Sequence, residues 1–280
     1  MGDLDGRHIL ITGANTGIGR ATAQALAARG ATLILAGRSE QRTRAAIAQI
    51  AVATGNDRLS FAALDLGDLR SVRACAEAVL AEHRPLHVLI NNAGLAGRRG
   101  LTTDGFELAF GTNHVGPFLL TALLLDRLRA GAPSRIVNVA SDAHYGARGI
   151  DFSAVRRPTR SLTGMREYGV SKLANVLHAR ELARRLDGTG VTAYALHPGV
   201  VASDIWRRVP WPVRPLMTRR MISPEQGART SLYCAASPEL AGESGAYYAD
   251  CRRKPPGAAV TPQLAAELWE RTAGWTGVTP

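Results

Sequence analysis

The chain has very little lysine and cysteine for its 280 residues. Its only lysines are Lys172 and Lys254, so nearly all the positive charge behind the formal net charge of +11 is arginine. The arginines are scattered, without a basic tract interleaved with aromatic residues, which argues against a nucleic-acid partner. The three cysteines, Cys75, Cys234 and Cys251, lack the spacing of metal ligands, so we expect reduced thiols and no metal site.

Long hydrophobic runs are also missing. No stretch of about 18 apolar residues occurs, so we expect no transmembrane segment. A strand is predicted almost at the first residue, which leaves no room for a signal peptide, and we therefore expect a cytoplasmic protein. A hydrophobic fraction of 46% is nevertheless enough for a globular domain with an ample core.

Short apolar runs alternate with amphipathic stretches through the first two thirds of the chain. The runs predict buried strands at His8–Thr12, Thr32–Ala36, Leu59–Leu64, Val88–Asn91, Arg135–Val139 and Val191–Leu196. The stretches between or after them predict helices at Arg20–Arg29, Gln41–Thr54, Leu69–Glu82, Asn113–Arg129 and Tyr168–Leu186. This alternation predicts an α/β fold: a Rossmann-type, doubly wound parallel sheet of about seven strands flanked by helices, in one domain covering residues 1–280.

Two segments interrupt this alternation. Residues 142–167 form a long connection after a strand, and residues 200–223 contain Trp206, Trp211 and several prolines and arginines. Both follow the carboxyl ends of predicted strands, where open α/β sheets bind ligands. We therefore predict an active-site loop at 142–167 and a substrate lid at 200–223, although the apolar lid residues could instead serve subunit packing.

A glycine-rich turn follows the first strand, in Thr12-Gly13-Ala14-Asn15-Thr16-Gly17-Ile18-Gly19. Glycines let the backbone turn tightly and approach a pyrophosphate, which binds the free N–H groups at a helix N-terminus. The Gly-x3-Gly-x-Gly spacing differs from the commonest dinucleotide fingerprint, and such a turn alone could be a plain strand–helix connection. Its position between a strand and a helix predicts a nucleotide site.

The end of the second strand indicates which nucleotide binds. An NAD site needs a carboxylate there for the ribose 2′-hydroxyl, whereas an NADP site needs a cation for the 2′-phosphate. This strand ends in glycine followed by Arg38, whose guanidinium can pair with phosphate. The missing acid and the arginine together predict NADP(H).

Residues after the third and fourth strands are also predicted to lie at the cofactor edge of the sheet. They are Asp65-Leu66 and Asn91-Asn92-Ala93-Gly94, of which Asn91 is expected to tie neighbouring strands together.

Tyr168 and Lys172 are four residues apart at the predicted start of a helix, so both side chains share one face. A tyrosine with an unperturbed pKa of about 10 is a poor acid–base catalyst at neutral pH. A fixed cation nearby would lower that pKa, because it stabilises the phenolate. Such a pair also arises by chance. Ser141, at the end of the fifth strand, and the glycine turn make a catalytic role the better interpretation.

In their order along the chain, the glycine turn, Asn91–Gly94, Asn113, Ser141, Tyr168, Lys172 and Pro198-Gly199 resemble the short-chain dehydrogenase/reductase family. The stretches Ser171–Leu177, His197–Val201 and Gly245–Cys251 resemble its retinol dehydrogenase branch. The resemblance implies that Tyr168 exchanges a proton with the substrate oxygen, that Lys172 binds the nicotinamide ribose and that Ser141 orients the substrate. Asn113 would hold a water linked to Lys172, unless it is only structural.

The resemblance also implies the cofactor-binding set. Its members are Gly13, Asn15, Thr16, Gly17, Ile18, Gly19, Arg38, Asp65, Leu66, Asn92, Ala93, Gly94, Tyr168, Lys172, Pro198, Gly199, Val201 and Ser203. The expected activity is NADP(H)-dependent interconversion of an aldehyde or ketone and its alcohol, on an apolar small molecule. Two alternatives stay open: an enone (C=C) reductase, and a catalytically silent NADP(H)-binding sensor or interaction protein. Family members often associate, so a homo-oligomer is expected.

Overall fold

A computed structural model describes residues 2–200 and 222–278 of the chain. Within them, one sheet has the strand order β3-β2-β1-β4-β5-β6-β7-β8. The strands are β1 (His8–Thr12), β2 (Thr32–Gly37), β3 (Leu59–Ala63), β4 (Val88–Asn91), β5 (Ser134–Val139), β6 (Val191–His197), β7 (Tyr247–Ala249) and β8 (Arg252–Lys254). The first seven pair in parallel, and β8 is antiparallel to β7. The predicted doubly wound α/β fold is confirmed.

Among the described residues the sheet has eight strands, where about seven were predicted and the apolar runs assigned β1 to β6. The two remaining strands, β7 and β8, have three residues each. In β8 these are Arg252, Arg253 and Lys254, all exposed at the edge of the sheet, so the apolar pattern that reveals β1 to β6 is absent there. Charged edge strands also discourage pairing with other chains.

Helices cover both faces of the sheet. They are α1 (Gly17–Ala28), α2 (Glu40–Thr54), α3 (Leu69–Ala81), α4 (Leu108–Phe110), α5 (Gly116–Leu123), α6 (Leu125–Ala130), α7 (Met165–Arg185), α8 (Pro224–Ala236) and α9 (Pro262–Thr276). A π-helical turn, Gly111–Val115, joins α4 to α5. The predicted single helix over Asn113–Arg129 is therefore broken into three pieces, because the π turn and Leu124 each interrupt the regular α-helical hydrogen bonding.

The strands carry apolar residues toward both faces, because a parallel sheet covered by helices is buried on both sides. On one side, Ile9, Ile11 and Leu33 pack with Ala23 and Leu26 of α1. On the other side, Leu10 and Ile136 pack with residues of α3 and α5, and with Trp269 of α9. The core is therefore two layers separated by the sheet.

The last helix, α9, packs against α5 and α7. The centre of the Trp269 ring lies 4.9 Å from that of Phe118 in α5, and the Arg185 guanidinium of α7 lies over the Trp269 ring at 4.7 Å. Part of the outer surface of the long helix α7 is thereby buried within the chain. The expectation of a homo-oligomer remains a prediction.

Residues 142–167 are well packed although they contain little regular structure. They form two short 3-10 helices, Asp142–Gly146 and Ala154–Arg156, and lead into α7. Buried Thr159 donates a hydrogen bond to the buried carboxylate of Glu107, and Val155 accepts one from the Glu107 backbone at 2.8 Å. Most of the predicted lid at 200–223 lies outside the described residues. No helix among those described is long and apolar enough to cross a membrane.

Candidate active site

The carboxyl ends of β1 and β4 are joined by a small network of hydrogen bonds. The Thr12 hydroxyl accepts from the backbone N–H groups of Asn92 at 3.1 Å and Ala93 at 2.9 Å. The Asn92 amide donates back to the carbonyls of Thr12 at 2.9 Å and Gly13 at 3.2 Å. The direction of strand order reverses between β1 and β4, and ligands of doubly wound sheets bind at such a point.

The glycines of the turn have the conformations that a close approach requires. Gly13 has φ +69°, and a Cβ there would lie 2.9 Å from the Cα of Ala93. Gly17 has φ +55°, but a Cβ there would have no heavy atom within 4 Å. Both backbone conformations favour glycine. The space beside Gly13 is filled by the protein, whereas the space beside Gly17 is open to a ligand.

The N-terminus of α1 faces this space. Thr16 occupies the N-cap position without a side-chain hydrogen bond to the helix, and no acidic residue occupies the first turn. The first N–H groups of the helix therefore keep their capacity to bind an anion, and the helix dipole adds to the attraction. Asn15 and Ile18 lie in the same turn. These residues fit the pyrophosphate of a dinucleotide.

Arg38 follows β2, is exposed, and lies at the same edge of the sheet. Asp65 lies after β3, where one carboxylate oxygen accepts a hydrogen bond from the Gly67 N–H at 2.9 Å. Leu66 is buried, and its carbonyl lies so close to Gly116 that a Cβ there would be 2.4 Å away. Among the residues that the structure describes, Arg38 and the second oxygen of Asp65 have no hydrogen-bond partner and could contact a nucleotide, while Leu66 packs against α5.

Ser141, Tyr168 and Lys172 come together beside the end of β5. The Ser141 side chain lies close enough to the Tyr168 phenol to influence its pKa. The ammonium of Lys172 is buried, donates to the Val139 carbonyl at 2.7 Å, and lies 5.6 Å from the centre of the Tyr168 ring. The helix that carries Tyr168 and Lys172 begins at Met165, so Tyr168 lies one turn inside α7 and does not open it as expected.

The protonation of this cluster is dominated by burial. Burial raises the pKa of the Tyr168 phenol above its usual value, and the neighbouring Ser141 opposes this only in part. Burial also lowers the pKa of Lys172 to about 8. From the spacing alone we expect the lysine to lower the tyrosine pKa. The net direction is instead upward, because the loss of hydration of the phenolate outweighs the opposing effect of Ser141.

Gly94 connects the glycine turn to this cluster. A Cβ at Gly94 would lie 3.4 Å from the Lys172 ammonium and 3.2 Å from the Asn113 amide oxygen. The Asn113 amide oxygen accepts a hydrogen bond from the Leu95 backbone N–H at 2.8 Å. The Asn113 amide nitrogen donates to the Leu95 carbonyl at 2.9 Å and to the Ser171 hydroxyl at 2.9 Å. Both amide hydrogens of Asn113 are therefore used within the protein. The predicted water at this residue remains a prediction.

Asn91 has the structural position expected of it. Its amide donates to Asn138 on β5 at 2.9 Å and to Thr121 on α5 at 3.1 Å, away from the nucleotide edge.

Pro198 and Gly199 follow β6, and a Cβ at Gly199 would lie 2.4 Å from the side chain of Ile222. Val201 and Ser203, which were predicted to contact the cofactor, lie outside the described residues.

Three residues of the site were not predicted. Thr12 accepts a hydrogen bond from the loop after β4. Ser171 accepts from Asn113 and donates to the Tyr168 carbonyl at 2.7 Å, so it links Asn113 to α7. His144 is buried next to Ser141. Ser171 was visible in the sequence only as a neighbour of Lys172. Thr12 and His144 act through contacts between distant elements, and no spacing along the chain marks such contacts.

Residues 7–211 match the family model of the short chain dehydrogenases. The chain belongs to this family, as the resemblance in the sequence indicated. It is therefore an oxidoreductase of the dehydrogenase/reductase type that uses a nicotinamide cofactor.

Named relatives are similar over most of the chain. It is 48% identical to retinol dehydrogenase 12 of Mus musculus, covering 89% of this chain and 79% of the relative. It is 46% identical to dehydrogenase/reductase SDR family member 13 of Homo sapiens, covering 100% and 76%. Among solved structures, an uncharacterised protein from Mycobacterium paratuberculosis is similar, with a TM-score of 0.78, 35% identity and coverage of 99% and 96%. The RhlG/NADP complex of Pseudomonas aeruginosa has a TM-score of 0.70, 26% identity and coverage of 87% and 94%.

Proposed function

We propose that the protein is an NADP(H)-dependent oxidoreductase that reduces an aldehyde or ketone to its alcohol, on an apolar small molecule. One observation carries the proposal. Ser141, Tyr168 and Lys172 form a cluster that Ala93, next to Gly13, and Gly94, next to Lys172, connect to the glycine turn. A nicotinamide ring reaching past Gly94 would then lie beside the groups that can handle a substrate proton.

The preference for NADP(H) rests on the end of β2. Arg38 is exposed there, and the residue before it is Gly37, so no carboxylate stands where the ribose 2′-hydroxyl of NAD is usually bound. A guanidinium can pair with a 2′-phosphate through two hydrogen bonds. The similar RhlG structure is a complex with NADP and is compatible with this assignment. The lid residues that favour an apolar substrate lie outside the described part of the chain.

The residues perform distinct tasks in this proposal. The bound nicotinamide supplies the hydride for the carbonyl carbon. Because burial raises its pKa, Tyr168 is a neutral phenol at neutral pH and can donate its proton to the carbonyl oxygen. Ser141, which lies beside that phenol, holds the same oxygen in place. Lys172 lies beside Gly94, where it can bind the nicotinamide ribose.

The test is NADPH oxidation, followed by absorbance, over nonanal, benzaldehyde, acetophenone, all-trans-retinal and an enone such as 2-cyclohexenone. We expect alcohol products from at least one saturated aldehyde or ketone. Saturation of the enone double bond, with the carbonyl retained and no alcohol formed, would indicate the C=C reductase alternative. NADPH binding without turnover of any carbonyl would instead favour the silent sensor.

The substrate class can be narrowed with the same panel. The retinol dehydrogenases among the relatives carry an apolar alcohol in their name, and an apolar substrate is what we propose here. We therefore expect a lower KM for nonanal than for short, polar aldehydes such as glyceraldehyde. The opposite ranking would contradict the apolar assignment while leaving the reaction class intact.

A further inference from the structure

His144 lies directly beside the proposed catalytic residue Ser141, but His144 has no role in the proposed transfer of hydride and proton. It is fully buried, in the 3-10 helix Asp142–Gly146 that starts immediately after Ser141. Its ring packs edge-on against Tyr247 of β7, with ring centres 4.6 Å apart. A buried imidazole needs hydrogen-bond partners for both ring nitrogens, and these partners define what the residue does.

Both ring nitrogens have a partner. Nδ1 lies 2.7 Å from the Ser141 carbonyl oxygen, and Nε2 lies 3.0 Å from the backbone nitrogen of Gly257. A carbonyl can only accept a hydrogen bond and a backbone N–H can only donate one. Nδ1 must therefore carry the hydrogen, and Nε2 must present its lone pair to Gly257. The two contacts together select one neutral tautomer.

The neutral form is also the stable one in this environment. Burial is the largest influence on His144 and lowers its pKa. Protonation would place a second hydrogen on Nε2, pointing at the N–H of Gly257, so that two donors would face each other. The imidazole therefore stays neutral while it bridges the two backbone groups.

The Ser141 carbonyl receives two hydrogen bonds from this one residue. The His144 backbone N–H donates to it at 3.1 Å, in addition to the ring. The Ser141 hydroxyl is also engaged, since it accepts from the Ala143 N–H at 3.2 Å and lies beside the Tyr168 phenol. Rotation of the Ser141 peptide would therefore disturb the hydroxyl that contacts Tyr168.

The other end of the bridge is the loop between β8 and α9. A Cβ at Gly257 would lie 3.3 Å from Cδ2 of His144, so the loop backbone approaches the ring closely. In the same loop, the Pro255 carbonyl accepts from the Tyr145 phenol at 2.7 Å. His144 thus links the C-terminal loop to Ser141, whereas Tyr145 links that loop only to the surface of the 3-10 helix.

We propose that His144 is a positioning residue that fixes the peptide and hydroxyl of Ser141 through its Nδ1–H, using the Pro255–Gly257 loop as its support. The inference deepens the proposed carbonyl reduction and rests on it for its kinetic consequence. A displacement of about 1 Å at a reacting group can cost roughly 100-fold in rate. The nucleotide site is formed by other elements, so the effect should fall on kcat and leave the KM for NADPH almost unchanged.

The kinetic test compares four variants, using NADPH and the panel carbonyl with the highest wild-type turnover. His144→Asn keeps a donor near the Nδ1 position, and we expect kcat within about threefold of wild type. His144→Gln and His144→Ala lack that donor, and we expect kcat to fall about 10- to 100-fold with the KM for NADPH within about twofold. Tyr145→Phe, the matched control, removes the bond to the same loop and should leave kcat unchanged.

Two kinetic outcomes would overturn the proposal. Equal losses of kcat in His144→Asn and His144→Ala would show that the donor at Nδ1 is not what matters. An equal loss in Tyr145→Phe would show that general anchoring of the loop, and not the bond to Ser141, controls the rate. Melting temperatures of all four variants identify any variant whose loss of rate comes from unfolding.

A second measurement does not depend on turnover. In wild-type protein labelled with ¹⁵N, two-bond ¹H–¹⁵N spectra distinguish the two neutral tautomers and the cation of each histidine, and His144→Asn assigns the signal. We expect the neutral Nδ1–H form of His144 at pH 7 to 8, because burial lowers its pKa below the usual histidine value. The Nε2–H tautomer or a cation in this range would contradict the proposal. If no carbonyl is reduced, the proposed function is wrong, but the two-bond ¹H–¹⁵N spectrum still determines the tautomer of His144.

Discussion

The two halves of the candidate site are built in opposite ways. The nucleotide half depends on missing side chains: Gly13 and Gly17 adopt positive φ angles, and Gly94 leaves room beside Lys172. The substrate half depends on groups that neighbouring residues hold in place. The Lys172 ammonium is held by the Val139 carbonyl, the Tyr168 phenol lies beside Ser141, and the Ser141 carbonyl is held by His144.

This difference predicts which kind of substitution impairs the function of each half. Adding atoms should damage the nucleotide half, because its function is to leave space for a ligand. Removing atoms should damage the substrate half, because each functional group is positioned by another. Four substitutions test this contrast between the nucleotide half and the substrate half, and Tyr168→Phe has the largest expected effect.

Tyr168→Phe removes only the phenolic oxygen, and we expect kcat for carbonyl reduction to fall about 100- to 10,000-fold, the usual contribution of a positioned proton donor. NADPH affinity, measured by fluorescence titration, should change less than about threefold. Tyr233→Phe, in α8 away from this cluster, is a suitable control and should keep its activity. Retention of most activity in Tyr168→Phe would exclude the phenol as the donor.

Lys172→Met should stabilise the cofactor-free protein at neutral pH. Burial lowers the pKa of Lys172 from 10.5 to about 8, so between these values the unfolded chain binds more protons than the folded one. The cost of the buried amine is therefore fully present below pH 8, about 3 kcal/mol at most, and disappears as the pH rises to 10.5. Denaturant titrations of both proteins at pH 7 and 10.5 measure the difference. A gap that widens with pH would contradict the argument.

Gly17→Ala should weaken cofactor binding by roughly 10- to 100-fold, since a methyl group would occupy the open space where N–H groups meet the pyrophosphate. Gly188→Ala is a matched control, because Gly188 has φ +74° and equally open surroundings but lies between α7 and β6. Both variants should lose about 1–2 kcal/mol of unfolding free energy through backbone strain. Isothermal titration with NADPH separates the two effects. Equal cofactor affinity in both variants would place the pyrophosphate elsewhere.

Arg38→Ala should have the smallest of these effects, since the side chain is exposed and its charge is screened by solvent. We expect NADPH affinity to fall about tenfold and NADH affinity to change less than twofold. Arg42→Ala, in the first turn of α2, controls for a general loss of positive charge. An equal loss of both cofactors in Arg38→Ala would refute the assignment of NADP(H).

The sequence predicted the nucleotide half in detail, because glycines in a strand–turn–helix context leave few alternatives. It also predicted that Ser141, Tyr168 and Lys172 would meet, since each follows a strand or shares a helix face. The start of α7 at Met165 was missed, because the preceding Gly164 has φ +68° and provides no side chain to cap the helix. The π turn around Asn113 was also missed, because its residues resemble those of an ordinary helix.

The direction of the Tyr168 pKa shift could not be obtained from spacing. Spacing shows that a lysine is near, but not that both groups are buried or that the lysine ammonium is directed to the Val139 carbonyl. His144 was invisible for a related reason. Its partner Gly257 is 113 residues away, and only the folded chain brings them together.

That separation has a consequence for how the protein forms during synthesis. Strands β1 to β5 and the glycine turn all precede Ser141, so the nucleotide half can assemble once roughly half the chain has been made. The Tyr247 phenol, which donates to Asp142 across 105 residues, and the Gly257 contact with His144 both wait for the last strands. Closing loops of this length is entropically costly and slow. We expect a nascent chain to acquire its nucleotide fold first and its proposed proton-transfer geometry last.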